Sequence, residues 1–179
     1  HVYPQADKLA TGGKYRQPSI LSMNQRDGTF CDATAQSGKA LEEPRVLRGL
    51  AAGDLFNDGN IDLVIEDLDG APMILRNRGV SGNHWIGFEL QGTKSNRLAI
   101  GARVQITAGR MTQTEEVRSG GSYLSQNDLR AHFGLGAATK VDSVEIRWPS
   151  GAVEKISTKD LKADQFSYVL EGRGRVEAK

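Results

Sequence analysis

The chain has 179 residues, enough for one or two small domains with a real core. A net charge of +1 removes the global basic field of a nucleic-acid binder, and the single Cys31 excludes an internal disulfide and a Cys-based zinc cluster. No apolar run approaches the roughly 18 residues of a membrane helix, and 21 glycines among short apolar runs point to turn-rich β structure.

Residues 1–17 are polar and read as irregular. Residues 19–23 and 29–34 read as short strands about a turn at 24–28, where Asp27-Gly28 is the hairpin signal. Residues 35–45 read as loop. A buried strand at 50–52 leads into an acidic loop, its partner lies at 61–65, and Asp69-Gly70 turns the chain to 73–76. This beat of short strand, Asp-Gly turn and short strand suggests stacked or radially repeated β units. Residues 79–83, Gly-Val-Ser-Gly-Asn, form the expected boundary.

Beyond it the pattern is that of longer strands, at 85–90, 102–107, 112–118, 129–135, 141–148, 153–157 and 166–170. Arg103/Val104/Gln105/Ile106 and Val144/Glu145/Ile146/Arg147/Trp148 alternate as a sheet with one wet face requires. So many strands in so short a stretch fit a β-sandwich. Only 157–164, around Leu161, has room for a helical turn. The fold class expected is all-β.

The acidic loop carries the strongest chemical signal. Asp54, Asp58 and Asp62 recur at every fourth position, with Gly59 after the middle one, and Glu66, Asp67 and Asp69 follow without an intervening Lys or Arg. Crowded carboxylates repel unless a cation lies among them, and hard oxygens around a glycine turn suit Ca²⁺. The alternative is a solvated turn whose Asp side chains cap backbone N–H groups.

Four runs carry a resemblance: Gly101-Ala-Arg-Val104, Glu116 to Asn127, His132-Phe-Gly-Leu-Gly136, and Val144-Glu-Ile-Arg-Trp-Pro-Ser-Gly151. In order and spacing they resemble the ASPIC/UnbV domain, over residues 84–172. Gly53-Asp54 through Asp62-Leu63 resembles an FG-GAP (VCBS-type) repeat, the blade unit of a β-propeller. The resemblance implies that residues 1–80 are the C-terminal remnant of such a propeller, followed by the sandwich. It also implies a chain cut from a longer protein, in keeping with a first residue, His1, that is not Met.

For the loop, the resemblance implies Ca²⁺ held by the side chains of Asp54, Asp58 and Asp62 and the carbonyl of Asn60. Its third position, normally Asp or Asn, is Phe56, which supplies no oxygen. The twelfth position is Ile65, so the loop is not an EF-hand.

Two readings are open for 118–127. As a ligand loop, Tyr123 is a stacking platform and Arg118, Gln126 and Asn127 bind a glycan or peptide. As structure, it is a packed crossover that needs its glycines. His84, His132 and Trp148 read as structural, with a general base as the alternative for His132 and a sugar platform as that for Trp148. Lys155, Lys159 and Lys162 read as a solvated face.

No Gly-x-Ser-x-Gly, His-Glu-x-x-His or phosphate-binding loop is present. With the extracellular or periplasmic setting that the resemblance implies, the expected role is a non-catalytic binding or adhesion module. Its partners would be a protein or glycan at the cell surface and the rest of the parent propeller, with no nucleic acid and no membrane insertion. The alternative is an accessory or catalytic domain of a secreted glycan-processing hydrolase, because paired carboxylates leave little local signature.

Overall fold

A computed structural model describes residues 3–9, 12–25, 27–79 and 81–176. Arg26 of the expected first turn and Val80 of the expected boundary lie outside them. The described chain runs β1 (Ser22–Asn24), β2 (Phe30–Asp32), α1 (Lys39–Glu42), β3 (Leu47–Gly53), β4 (Asp62–Asp67), β5 (Met73–Leu75), then β6 (His84–Gln91), β7 (Arg103–Ala108), β8 (Met111–Glu116), β9 (Ala131–Gly136), β10 (Ser143–Arg147), β11 (Val153–Ile156), β12 (Phe166–Leu170) and β13 (Gly174–Val176). It is an all-β architecture of several sheets, none closed.

Two compact units divide the chain: His1–Leu50 with Val64–Leu75, and Ala51–Leu63 with Arg76–Lys179. In the first unit, β1 and β2 form an antiparallel hairpin whose strand residues are all exposed. A second sheet has the order β3-β4-β5, and β3 and β4 run on past the division. Ala6, Ala33, Leu41, Val46, Ile65 and Met73 are buried apolar side chains of this unit, while Ile20, Met23, Phe30 and Ile74 stay exposed. Arg45 joins the buried Asp67 at 3.2 Å, and Arg16 joins Asp69 at 3.0 Å. The expected loop at 35–45 contains the one-turn helix α1 instead, because Leu41 finds apolar cover there.

The second unit is a β-sandwich. One sheet has the order β11-β10-β7-β8, all antiparallel, and the other β13-β12-β6-β9, with β12 and β6 parallel. The alternation in sequence sets the register. Val144 lies opposite Ile106 and Ile146 opposite Val104, all four buried, while Arg103 and Arg147 pair on the wet face. Phe88, Phe133, Ile86 and Val169 close the core from the other sheet, and Trp148 is fully buried within it, so it is no sugar platform. Residues 157–164 contain only a turn, Leu161 N–H to Thr158 O, since their apolar side chains, Leu161 and Ala163, are two apart and make no helical stripe. The last strand, β13, was not expected, because Gly172-Arg-Gly-Arg175 gives no apolar pattern.

One carboxylate ties the turns together. Glu171 is 3% exposed and accepts the N–H groups of Thr93, Lys94 and Ser95 at 2.7–2.8 Å, and the hydroxyls of Ser95 and Ser150. Burial pushes this carboxyl up, but the Ser150 hydroxyl and the three amides overcome it and hold it at about 2.

Candidate functional site

The acidic loop closes on itself. Asp54 Oδ1 accepts the N–H of Asp58 at 3.0 Å and Oδ2 that of Gly59 at 2.8 Å. Asp62, 1% exposed, accepts Leu55 N–H on Oδ2 and Asn77 N–H on Oδ1. Asp58 Oδ1 accepts both the backbone N–H and the side-chain amide of Asn60. Its Oδ2 takes Arg76 Nη2 at 3.1 Å, and this bond leads the causes that hold the Asp58 carboxyl below its ordinary value. Each of the six carboxylate oxygens thus accepts an N–H. Phe56, at the position that lacks an oxygen, presents its ring to Arg76, whose guanidinium carbon lies 4.2 Å from the ring centroid.

Sandwich side chains grip the other side of this loop. Ala52 exchanges backbone and side-chain bonds with the start of the 127–130 segment: its carbonyl accepts Asp128 N–H and its N–H goes to Asn127 Oδ1. Arg130 donates to Asn57 Oδ1 at 2.6 Å and to the Asp54 carbonyl at 2.9 Å, while Asp128 holds its Nε. Because the Gly59 carbonyl can only accept, His132 carries its proton on Nε2, 2.8 Å away. Burial, chiefly, lowers the His132 pKa and keeps the ring neutral. That ring stacks on Trp85 at 5.2 Å, and Trp85 meets Phe166 edge-on at 4.9 Å. Gly59, at φ +84°, lies so close that a Cβ would fall 1.8 Å from Trp85 Nε1.

The expected ligand residues separate. Gln126 and Asn127 line one groove of about 440 Å³ with Glu89, Leu98 and Leu129. Arg118 lines another of about 340 Å³ with Arg103 and Glu116. Tyr123 and Leu124 lie in neither; both are exposed, Leu124 at 86% with φ +47°. Asn127 is shared between its groove and the bond to Ala52. His84 is paired with Asp164 at 2.7 Å, a residue that also exchanges backbone and side-chain bonds with Trp85. Among the described residues no three His, Cys, Asp or Glu side chains gather into a metal-sized group.

The sequence points to neither Trp85 nor Arg130 as part of the site, and offers His132 only a structural place or that of a general base, not a bond to the acidic loop. His132 opens the 132–136 run, but nothing in that run assigns its ring a carbonyl partner, and Trp85 and Arg130 lie in none of the four runs; the backbone carbonyls that Arg130 and His132 reach are more than seventy residues away.

These features define an all-β module in which a β-sandwich clasps an acidic loop. A family model described as ASPIC and UnbV matches residues 92–176. Cartilage acidic protein 1 of Mus musculus is 29% identical over 138 residues, 75% of this chain and 21% of the relative. Its Homo sapiens counterpart is also 29% identical over 138 residues, 75% of this chain and 20% of the relative. The Xenopus tropicalis protein is 25% identical over 174 residues, 94% of this chain and 24% of the relative. The chain therefore spans between a fifth and a quarter of the length of these relatives.

Proposed function

We propose that this chain is part of a secreted, non-catalytic protein and that its sandwich presents the 118–130 segment to a macromolecular partner. The observation that carries the reading is the exposure of Tyr123 and Leu124 in a segment whose flanking residues, Arg118 on one side and Gln126 and Asn127 on the other, line two separate open grooves. Loops held by such scaffolds are where binding residues concentrate. The ASPIC/UnbV match and the likeness to cartilage acidic protein 1 support an extracellular setting. In the same reading the first unit belongs to a larger FG-GAP propeller. Its exposed hairpin and the apolar Ile20, Phe30 and Ile74 support that, since an isolated two-stranded hairpin is marginal in water.

The test is surface plasmon resonance over immobilised hyaluronan, chondroitin sulfate, heparin and fibrillar collagen, with the double variant Tyr123→Ser/Leu124→Ser as control. Saturable binding to one surface, lost in the variant, is expected. Turnover of a polysaccharide or a model ester, abolished by a single carboxylate or His132 substitution, would overturn the reading in favour of a hydrolase.

A further inference from the structure

We infer that Arg76, seated on Phe56, is the resident cation of the Asp54–Asp62 loop, in the role that a calcium ion would otherwise fill. The donor set does not fit a calcium cage. Ca²⁺ takes six to eight oxygens converging on one point; here the third position offers a phenyl ring, the three aspartates do not gather into a metal-sized group among the described residues, and each of their six oxygens spends an acceptor site on an N–H donor. Asp54 and Asp62 each close a ring of backbone amides, an arrangement that stabilises a buried carboxylate without a metal.

Asp58 is the member that those amides leave half-satisfied, and Arg76 completes it. The guanidinium lies over the Phe56 ring at 4.2 Å while its Nη2 reaches Asp58 Oδ2 at 3.1 Å. A planar cation with donors along its edge suits both contacts at once, as a lysine ammonium would not. The reach is fixed by the chain. The next residue, Asn77, gives its N–H to Asp62, so the backbone that carries Arg76 is tied to the same loop. Phe56 is therefore a replacement rather than a defect: where an oxygen is missing, an aromatic face holds the cation that makes the oxygen unnecessary.

The test is thermal unfolding of the full chain, read by tryptophan fluorescence, with calcium chloride and with a chelator, beside isothermal titration with calcium alone. The wild-type Tm is expected to be the same in both solutions, with no titration heat. Arg76→Ala and Phe56→Leu are each expected to lower the Tm, and the double variant to lower it by less than their sum, because the two act through one contact. Phe56→Asp/Arg76→Ala, which restores an oxygen and removes the internal cation, is expected to gain a calcium-dependent rise in Tm. A saturable calcium response in the wild type would overturn the inference. So would strictly additive losses for Phe56→Leu and Arg76→Ala; Phe56→Leu alters no charge and keeps an apolar side chain, so it gives a reading if Arg76→Ala fails to fold.

Discussion

Glu171→Gln isolates charge from shape at the carboxylate that joins the 93–95 turn to Ser150. Glutamine keeps one carbonyl oxygen for the three amides, and its NH₂ can donate to the two serine hydroxyls once they rotate. What is lost is the charge. The folded carboxyl titrates at about 2 against an ordinary value of 4.5, and each pH unit is worth about 1.4 kcal/mol, so the charge contributes about 3 kcal/mol at neutral pH. For a chain of this size that corresponds to a fall in Tm of roughly 6–12 °C. The sign follows from linkage: a depressed carboxyl stabilises the fold above its unfolded pKa and loses that contribution as pH falls through its folded value. The gap between wild type and variant should be full at pH 7, begin to close below 4.5 and vanish near 2. Urea unfolding followed by tryptophan emission measures it, because Trp85 and Trp148 both lie in the sandwich unit. A gap of equal size at neutral and strongly acid pH would refute the reasoning, since it would assign the effect to packing.

Two further substitutions probe the clasp. Gly59→Ala forces a β-carbon into the Trp85 indole and into a left-handed backbone, and should cost about 2–4 kcal/mol in urea unfolding. Arg130→Met keeps an apolar stem over Phe166 but deprives Asn57 Oδ1, the Asp54 carbonyl and Asp128 Oδ2 of their guanidinium donor. It should cost about 2–3 kcal/mol and speed amide exchange at Asp58 and Gly59, whose N–H groups bond to Asp54; unchanged exchange at both would show that the loop closes without the clasp.

The sandwich was legible because its strands are wet on one face. Val104/Ile106 and Val144/Ile146 declare both strand and orientation, and their registers follow from burying all four. The edge strand β13 was hidden because an edge needs no apolar alternation when its partner β12 supplies it. The acidic loop was visible as a cluster, but the identity of its cation was not. Arg76 is eighteen residues from Asp58, and nothing in the spacing says that an arginine there returns to the loop. The same holds for His132, and for the Arg130 bond to Asp54, whose acceptors are carbonyl oxygens that every residue type possesses. Side chains that bind backbone leave no pattern to match, so a clasp of this kind is read from geometry alone.

The clasp also moves the start of the folding module. The family match begins at residue 92, yet β6, which lies between β12 and β9, begins at His84, and residues 51–63 belong to the same compact unit. A chain beginning at residue 84 would keep both sheets but lose the loop that covers Trp85, and with it the acceptors of Arg130 and His132. Its Trp85 emission should shift to the red while Trp148, sealed in the core, keeps its own; Trp148→Phe separates the two signals. Its urea midpoint should fall below that of a chain beginning at residue 51, because a stacked indole and imidazole are returned to water and a half-buried guanidinium is left with one partner fewer on each of two nitrogens. Equal midpoints with an unshifted Trp85 would mean that the loop rests on the sandwich without stabilising it. The boundary would then fall at the glycine-rich 79–83 stretch that sequence pattern alone selects.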